Sequence, residues 1–526
     1  MRERCFFCAL SRCRKPCYNA LDHISRTINR GTPPEGGTQM PCTTVLVGKN
    51  ATNDHSTMIA RTDDGFFDVK KLIVVEPKDQ PRKYKSVLSH VEIELPDHPM
   101  RYTSCPSVDK KSGIWAATGI NEAQVGMTAT ETITSNPRVL SADPLVEYRK
   151  AEKRGEKDTI GGIGEEDIVV LVLPYIRTAR EGVLRLAQLL EAYGTYESNG
   201  IAFNDEDEVW WMETIGGHHW MARRVPDDCC VIAPNQFGMD SFDMEDAFTE
   251  QKAHLCSKDL KDFIRDNHLD LNQSGRMNPR DIFGSHTDMD HIYNTPRAWF
   301  MGRYLTPTTH TWDGPNAEFT PESDRIPWAL VPERKLAVED VRYLLSGHFQ
   351  GTPYNPYTSQ DTGKRGMYRS IGINRTGVTS ICQIRSHVPE AIRGIEWICF
   401  GSTAFSAMLP VYPNVPSMPA YLSRVTLDMS TENFYWSSRL IDTLVDHDYA
   451  SCIQLVNRYH NAMFTEGRKL VREYDARYTD SGDLSVLQKA NDALCAMARK
   501  ETVSVMNKLM LESSKHMKNG FNLADN

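Results

Sequence analysis

Two runs of β-branched and apolar residues near the start of the chain most constrain what it can fold into. Residues 42–49 (CTTVLVGK) and 57–64 (TMIARTDD) are both typical of strands. The polar segment between them, residues 50–56, is typical of a loop. The spacing therefore predicts an antiparallel hairpin whose first strand begins at Cys42.

The register of this hairpin determines which side chains meet. If the loop is centred near Asn53, the numbers of paired residues add up to about 106, so that Cys42 faces Asp64. Arg61 then lies within one strand step of the same end, but strict alternation places it on the opposite face from Asp64. We therefore expect a thiol, a guanidinium and a carboxylate at the start of the first strand, with Asp64 better placed than Arg61.

These residue types are suited to nucleophilic catalysis. A cysteine at a true N-terminus carries its own base, because its α-amine has a pKa of about 8. A neighbouring arginine favours the thiolate over the thiol, and an aspartate can orient the amine. The alternative is a buried structural cysteine, which is the commoner role for a cysteine on a strand. From the spacing alone, both interpretations of Cys42 stay open.

Residues 1–41 differ from the rest of the chain. They contain seven Arg and Lys against three Asp and Glu, so this leader carries +4 and the remainder −13 of a total of −9. The four cysteines from Cys5 to Cys17 make a zinc site one alternative. No apolar periodicity follows them, which argues against a folded zinc domain. A pro-segment or a targeting peptide is another alternative. We expect a disordered or mistranslated extension, in which case Met40 is the true start.

Charge and cysteine usage exclude several classes of function. A net charge of −9, with no basic stripe interleaved with aromatic residues, argues against a nucleic-acid partner. No apolar stretch of about 18 residues occurs, so no membrane partner is expected. The body cysteines have no regular spacing, which indicates a reducing cytoplasm. The pair His218-His219 lacks a recognised ligand spacing, so we expect no metal. The glycines at 161–164 precede an apolar segment, whereas a dinucleotide loop follows a strand, and we expect no cofactor.

Helical periodicity appears in two places. Residues 167–192 are predicted as a helix of an outer layer. Beyond about residue 427 the same periodicity dominates, and it predicts three helices over 434–449, 450–474 and 484–511. We therefore expect a body over residues 42–426 and a helical C-terminal region over 427–526, which packs on the body or forms a contact in a homo-oligomer.

Several segments resemble one known family. The opening MPCTTVLVGK at 40–49 and STMIARTDD at 56–64 are followed by similar segments in the same order. These are TGINEAQVGMTATE (118–131), WWMETIGGHHW (210–220), APNQF (233–237), YNTPRAW (293–299) and WICFGST (397–403). Together they resemble the bacterial dipeptidase A family, which consists of cysteine N-terminal-nucleophile (Ntn) peptidases related to secernins.

The resemblance implies an α+β fold, the αββα four-layer sandwich of Ntn hydrolases, with a helical C-terminal extension. It also implies that processing exposes Cys42, which then hydrolyses small peptides, dipeptides above all, through an acyl-enzyme. Arg61 and Asp64 match the R-x-x-D pattern that follows the nucleophile. Asn235 matches the oxyanion donor, and Arg297 matches the distal arginine, which we expect to set the electrostatics and to reach the substrate carboxylate.

One position departs from the wider superfamily. Bile-salt hydrolases have an oxyanion-hole asparagine where this chain has Glu131, next to Thr130. A carboxylate cannot donate a hydrogen bond to an oxyanion unless it is protonated. We therefore expect Glu131 and Thr130 to bind substrate, with Glu131 on the α-ammonium of a dipeptide. Two alternatives stay open: an amidase of the penicillin acylase or bile-salt hydrolase type, and a secernin-like protein that acts by interaction without catalysis.

Overall fold

The computed structural model of the protein describes residues 42–65, 68–153, 155–273 and 275–517, and its two largest sheets are both antiparallel. The seven-stranded sheet has the order β14 (Ala329–Leu330), β12 (Cys230–Ala233), β1 (Cys42–Val47), β2 (Thr57–Asp63), β15 (Val378–Ile384), β16 (Gly394–Phe400) and β17 (Leu409–Val411). The six-stranded sheet has the order β13 (His254–Cys256), β11 (His219–Arg224), β10 (Val209–Ile215), β9 (Asn199–Asn204), β8 (Gly126–Thr132) and β7 (Thr118–Ile120). Two short ribbons pair β3 (Ile73–Val75) with β6 (Tyr102–Ser104), and β4 (Lys83–Lys85) with β5 (Glu92–Glu94).

The helices of the described residues range from single turns to long rods. In chain order they are α1 (Pro137–Ala142), α2 (Ile168–Val172), α3 (Ala179–Tyr193), α4 (Met244–Phe248), α5 (Leu260–Asp266), α6 (Pro279–Phe283), α7 (Asp290–Tyr293), α8 (Thr295–Leu305), α9 (Val338–Leu345), α10 (Ala420–Ser423), α11 (Phe434–His447), α12 (Tyr449–Ser481) and α13 (Ser485–Lys515). This mixture of helices and strands confirms the α+β class. Within the described residues, no helix combines the length and the apolar character that a membrane crossing requires.

The predicted hairpin is present as β1 and β2, and every residue of both strands is buried. Its two faces belong to different cores. Leu46 and Ile59 pack in a cluster with Trp211 of the smaller sheet, while Val45 packs in a cluster with Trp299 of α8. The hairpin is therefore enclosed on both sides, so a polar group placed on it must find its partners inside the protein.

The three predicted C-terminal helices are confirmed as α11, α12 and α13, with α12 running longer than predicted and ending before Gly482 in the left-handed conformation, at φ 66°. The amide of Asn491 in α13 binds both the N–H and the C=O of Tyr412, at 2.8 and 2.9 Å. These bonds hold α13 against the edge of the larger sheet, next to β17. The domain boundary at 426/427 and the oligomer contact stay predictions, and the predictions for residues 1–41 lie outside the described residues.

The prediction of one helix over 167–192 was wrong. The segment forms α2, a 3-10 turn at Leu173–Tyr175 and then α3, with extended backbone at Ile176 between them. Pro174 lacks the N–H that a continuous helix needs. The hydroxyl of Thr178 then caps α3 by accepting a hydrogen bond from the N–H of Glu181.

Candidate active site

The register of the hairpin differs from the prediction by one residue. Cys42 lies opposite Asp63, and Thr44 lies opposite Arg61. Because directly opposite residues point to the same face, these four side chains share one face of the hairpin. The predicted pairing of Cys42 with Asp64 was therefore wrong, and the shift of one residue moves Asp64 to the other face.

The cause of the shift lies in the loop between the strands. It is a long loop rather than a two-residue turn, and it is closed by the hydroxyl of Thr52, which donates to the carbonyl of Ser56 at 2.7 Å. Thr52 also forms a bridge to Leu336, far along the chain. The centre of such a loop is set by these tertiary contacts, so sequence spacing alone does not fix it to one residue.

A chain of buried charges surrounds the thiol. Nη2 of Arg61 donates to Sγ of Cys42 at 2.8 Å and also donates to Oε1 of Glu165. The same Nη2 lies 3.7 Å from Oδ1 of Asp63, whose other oxygen lies 3.1 Å from Nζ of Lys70. All four charged side chains are buried. The thiol therefore lies at one end of an alternating series of cations and carboxyl groups.

The protonation of this cluster reflects a competition between burial and Arg61. Burial raises the pKa of the Cys42 thiol well above its ordinary value, while Arg61 lowers it and Glu165 raises it further. Burial also raises the pKa of Glu165, to about 8, against the attraction of Arg61. For Asp63 burial acts in the same upward direction, but Lys70 and Arg61 outweigh it and hold its pKa below the usual range. Arg61 is thus the group that favours the thiolate.

Sequence reasoning missed Glu165. It lies 104 residues from Arg61 in the chain, in the segment that precedes α2. The acidic pair Glu165-Glu166 resembled an ordinary polar connection, and no spacing rule links it to the hairpin. Its raised pKa and its contact with Arg61 emerge only when the smaller sheet and its helices lie against β2.

The backbone nitrogen of Cys42 has its own partner. It donates to Oδ1 of Asn235 at 3.1 Å. The other end of this amide donates to the carbonyl of Thr132 at 2.9 Å, which fixes the orientation of the side chain. Asn235 adopts the left-handed backbone conformation, at φ 38°, which asparagine tolerates better than most residues. The structure thus brings Asn235 to Cys42, where it orients the nitrogen.

Arg297 also contacts Cys42, but on the opposite face from the thiol. Its side chain is fully buried, and its donors are all engaged. They bind the oxygens of Tyr293 (O), Cys42 (O), Thr43 (Oγ1), Asn235 (Oδ1) and Asn294 (Oδ1). Burial lowers the pKa of Arg297 to about 9, and the positive charge of Arg369 lowers it as well. This arginine holds the backbone of Cys42 in place and has no donor turned toward a substrate.

Glu131 links β8 to β1 and to the segment that follows β12. Oε2 accepts from the hydroxyl of Thr44 at 2.7 Å, and Oε1 accepts from the backbone N–H of Asn235 at 2.7 Å. Burial raises the pKa of Glu131 to about 7, although Arg297 opposes the shift. Thr130 is fully buried next to Glu131 on β8, and within the described residues its hydroxyl has no hydrogen-bond partner. The contacts of Glu131 position it within the protein, and the substrate-binding role of Glu131 and Thr130 stays a prediction.

Asp64 lies on the other face of the hairpin from the thiol. Its oxygens accept from the hydroxyls of Thr376 and Thr62, at 2.6 and 3.1 Å, and one of them also binds Nη2 of Arg369. The carboxylate is completely buried. Asp64 therefore anchors the segment 369–376 to the end of β2.

Three potential metal ligands converge at the thiol. Among the described residues, Cys42, Asp63 and Glu165 offer ligand atoms that all lie within 4.8 Å of one another. Arg61 donates to two of these groups, so a guanidinium already supplies positive charge at this place. The expectation that the site needs no metal stays a prediction.

The fold and the site define a mixed α and β protein with a buried cysteine at the start of a central strand, held at its sulfur, nitrogen and carbonyl oxygen by three different side chains. A family model described as Peptidase family C69 matches residues 41–462. The chain belongs to this family and is a peptide hydrolase.

The names of similar proteins point the same way. The chain is 47% identical over 534 residues to a protein named Dipeptidase from Bifidobacterium longum, with 92% of this chain and 100% of the relative covered. It is 48% identical over 489 residues to Probable dipeptidase A from Streptococcus pyogenes, with 92% and 98% covered. It is 39% identical over 496 residues to Dipeptidase A from Lactobacillus helveticus, with 93% and 100% covered.

Proposed function

We propose that the protein is a dipeptidase whose nucleophile is the thiol of Cys42, exposed as the N-terminal residue by removal of residues 1–41. The observation that carries this proposal is that side chains hold Cys42 at both of its reactive atoms, the sulfur and the nitrogen. Sγ of Cys42 accepts from Arg61 at 2.8 Å, and its nitrogen donates to Asn235 at 3.1 Å. The names of the relatives support dipeptides as the substrate class.

The chemistry follows from these contacts. The free α-amine of Cys42 takes the thiol proton, directly or through a water, and Sγ bonds to the carbonyl carbon of the substrate. The proton then passes to the leaving amine as the C–N bond breaks, which leaves a thioester. Water attacks the thioester, releases the acid and restores the thiol.

Each neighbour of Cys42 has a role in the proposal. Arg61 favours the thiolate. Asn235 orients the amine through Oδ1, and we retain it as oxyanion donor through the second hydrogen of its side-chain amide, the first being bound to Thr132. Arg297 fixes the carbonyl of Cys42. Asp64 holds the side chain of Arg369 in place by binding its guanidinium.

The finer fold assignment is also part of the proposal. We infer that the two large sheets and the helices against them form the αββα sandwich of Ntn hydrolases. The hairpin supports this inference, because one of its faces packs with the smaller sheet and the other with α8. A cytoplasmic location and a homo-oligomeric state stay predictions.

Substrate and inhibitor profiles test the proposed function. We expect the purified protein to hydrolyse a free dipeptide such as Ala-Ala, to lose activity with iodoacetamide and to keep it with EDTA. A preference for N-acylated amides would favour the amidase alternative. Hydrolysis of neither substrate class would favour the non-catalytic alternative, and loss of activity with EDTA that added zinc restores would contradict the metal-free mechanism.

A further inference from the structure

Two buried arginines on the same side of the hairpin differ in how their donors are used. Every nitrogen of the Arg297 guanidinium donates to a protein oxygen. The Arg369 side chain is only 6% exposed, yet within the part of the chain that the structure describes its Nε and Nη1 have no hydrogen-bond partner. A buried guanidinium with unused donors is unfavourable, which indicates that an acceptor is missing.

The position of Arg369 places this missing acceptor next to the nucleophile. The guanidinium carbons of Arg369 and Arg297 lie 5.0 and 5.6 Å from the centre of the same Tyr293 ring. Nη1 of Arg297 in turn donates to the carbonyl oxygen of Cys42. Its partner Asp64 directly follows Asp63, the residue opposite Cys42, so Arg369 lies at the end of the hairpin where β1 begins.

The charge around Arg369 favours an anion. The hydroxyl of Tyr293 accepts from Nη2 of a third arginine, Arg375, at 2.7 Å. The carboxylate paired with Arg369 is that of Asp64, while the hydrogen bonds of Arg297 all go to neutral oxygens, although the carboxyl group of Glu131 also attracts it. Arg369 and Arg297 thus share one directly paired carboxylate, and a second carboxylate is the group that would complement them.

Arg61 also has donors, Nε and Nη1, without a partner in the described part of the chain, but its surroundings differ. Its Nη2 already contacts Glu165, and Asp63 lies 3.7 Å from the same atom. An incoming carboxylate would meet these acidic groups at Arg61. At Arg369 it would meet one carboxylate, Asp64, together with the positive charge of Arg297.

We propose that Arg369 binds the C-terminal carboxylate of the substrate through its free N–H groups, and that this contact restricts the enzyme to peptides that end one residue after the scissile bond. The inference rests on the proposed dipeptidase function. Consecutive carbonyl carbons of a peptide are less than about 4 Å apart, so the partner of a dipeptide's carboxylate must lie beside the nucleophile. A longer peptide would place an uncharged amide where Arg369 requires an anion.

The experiment compares Ala-Ala with its C-terminal amide. We expect the wild-type kcat/KM to favour the free acid by about 100-fold, since a charge-assisted pair is lost with the amide. In Arg369→Gln the KM for the acid should rise about 100-fold and the preference should vanish. Arg369→Lys keeps the charge that Asp64 requires and should retain part of the preference. Arg365→Gln removes the same charge at an exposed position four residues earlier and should keep the wild-type ratio.

The ratio of acid to amide separates substrate binding from a structural role. If both substrates lose the same factor in Arg369→Gln and Arg369→Lys, Arg369 only supports the fold and the inference is wrong. It is equally wrong if the wild type does not discriminate between the substrates. Should Arg369→Gln fail to fold by circular dichroism, the ratio in Arg369→Lys decides. If the wild-type protein cleaves neither substrate, the proposed dipeptidase function is itself wrong. This result is distinct from a failure of the inference about Arg369.

Discussion

Arg61 and Arg297, on the two faces of the β1–β2 hairpin, use their donors in opposite ways. The thiol face carries Cys42, Thr44, Arg61 and Asp63, and the helix face carries Thr43, Thr62 and the adjoining Asp64. On the thiol face, Nε and Nη1 of Arg61 and Oε2 of the neighbouring Glu165 are buried, and none of these atoms has a hydrogen-bond partner among the residues that the structure describes. On the helix face, Arg297 is fully engaged. The thiol face is therefore suited to changes of protonation, and the helix face to fixing the backbone.

The largest effect is expected from the sulfur itself. Cys42→Ala should lower kcat/KM for a dipeptide by about 10⁴-fold or more, because the acyl-enzyme can no longer form. Cys42→Ser should leave weak activity or stalled processing. Cys399→Ala is the matched control, since Cys399 is an equally buried free thiol on the same sheet, and it should keep activity within about 3-fold. Equal losses in both alanine variants would show that Cys42 is structural.

Arg297→Gln tests the helix face. This change removes the guanidinium that binds the carbonyl of Cys42 and the side chain of Asn235. We expect kcat to fall by about 10²- to 10³-fold with little change in KM, because Arg297 positions the nucleophile and does not bind substrate. A large rise in KM with unchanged kcat would instead support the predicted contact of Arg297 with the substrate carboxylate.

Arg61→Gln tests the thiol face with a different measurement. Removing the cation that donates to Sγ should raise the thiol pKa, so alkylation of Cys42 by iodoacetamide at pH 7 should slow by about 10-fold. Arg297→Gln should change the alkylation rate by less than about 3-fold, because Arg297 contacts the carbonyl oxygen and not the sulfur. Similar alkylation rates in the two variants would remove the distinction between the faces.

Glu165→Gln tests the thiol face through the pH dependence of the alkylation rate of Cys42. The pKa of Glu165 is raised to about 8, so the group is mostly neutral below that pH and resembles glutamine. Above it the carboxylate raises the thiol pKa, and the wild type should be alkylated more slowly than Glu165→Gln. The two rates should coincide at pH 6 to 7 and diverge above pH 8, and a ratio that stays the same from pH 6 to above pH 8 would contradict the prediction.

The smallest effect is expected at Glu131, which joins the two sheets. Glu131→Gln preserves the shape and one acceptor oxygen, so kcat should fall by only about 10-fold, and the KM for free dipeptides tests the predicted substrate contact separately. A marked rise in KM for free dipeptides, absent for N-acylated ones, would support the predicted contact with the α-ammonium.

Sequence reasoning located much of this site. Local strand patterns predicted the hairpin, and the resemblance pointed to Asn235 and Arg297, which the structure brings to Cys42. The register escaped prediction because tertiary contacts of Thr52 fix the loop. Glu165 and Arg369 escaped because each meets the hairpin from a distant segment, and no short motif encodes such a contact.

The central claim concerns the nitrogen of Cys42, which must be a free amine to accept the thiol proton. N-terminal sequencing of the purified enzyme, combined with its intact mass and its measured dipeptidase activity, tests this directly. The account predicts that the active fraction begins at Cys42. A fully active protein whose Cys42 nitrogen is still joined to Pro41 would contradict it.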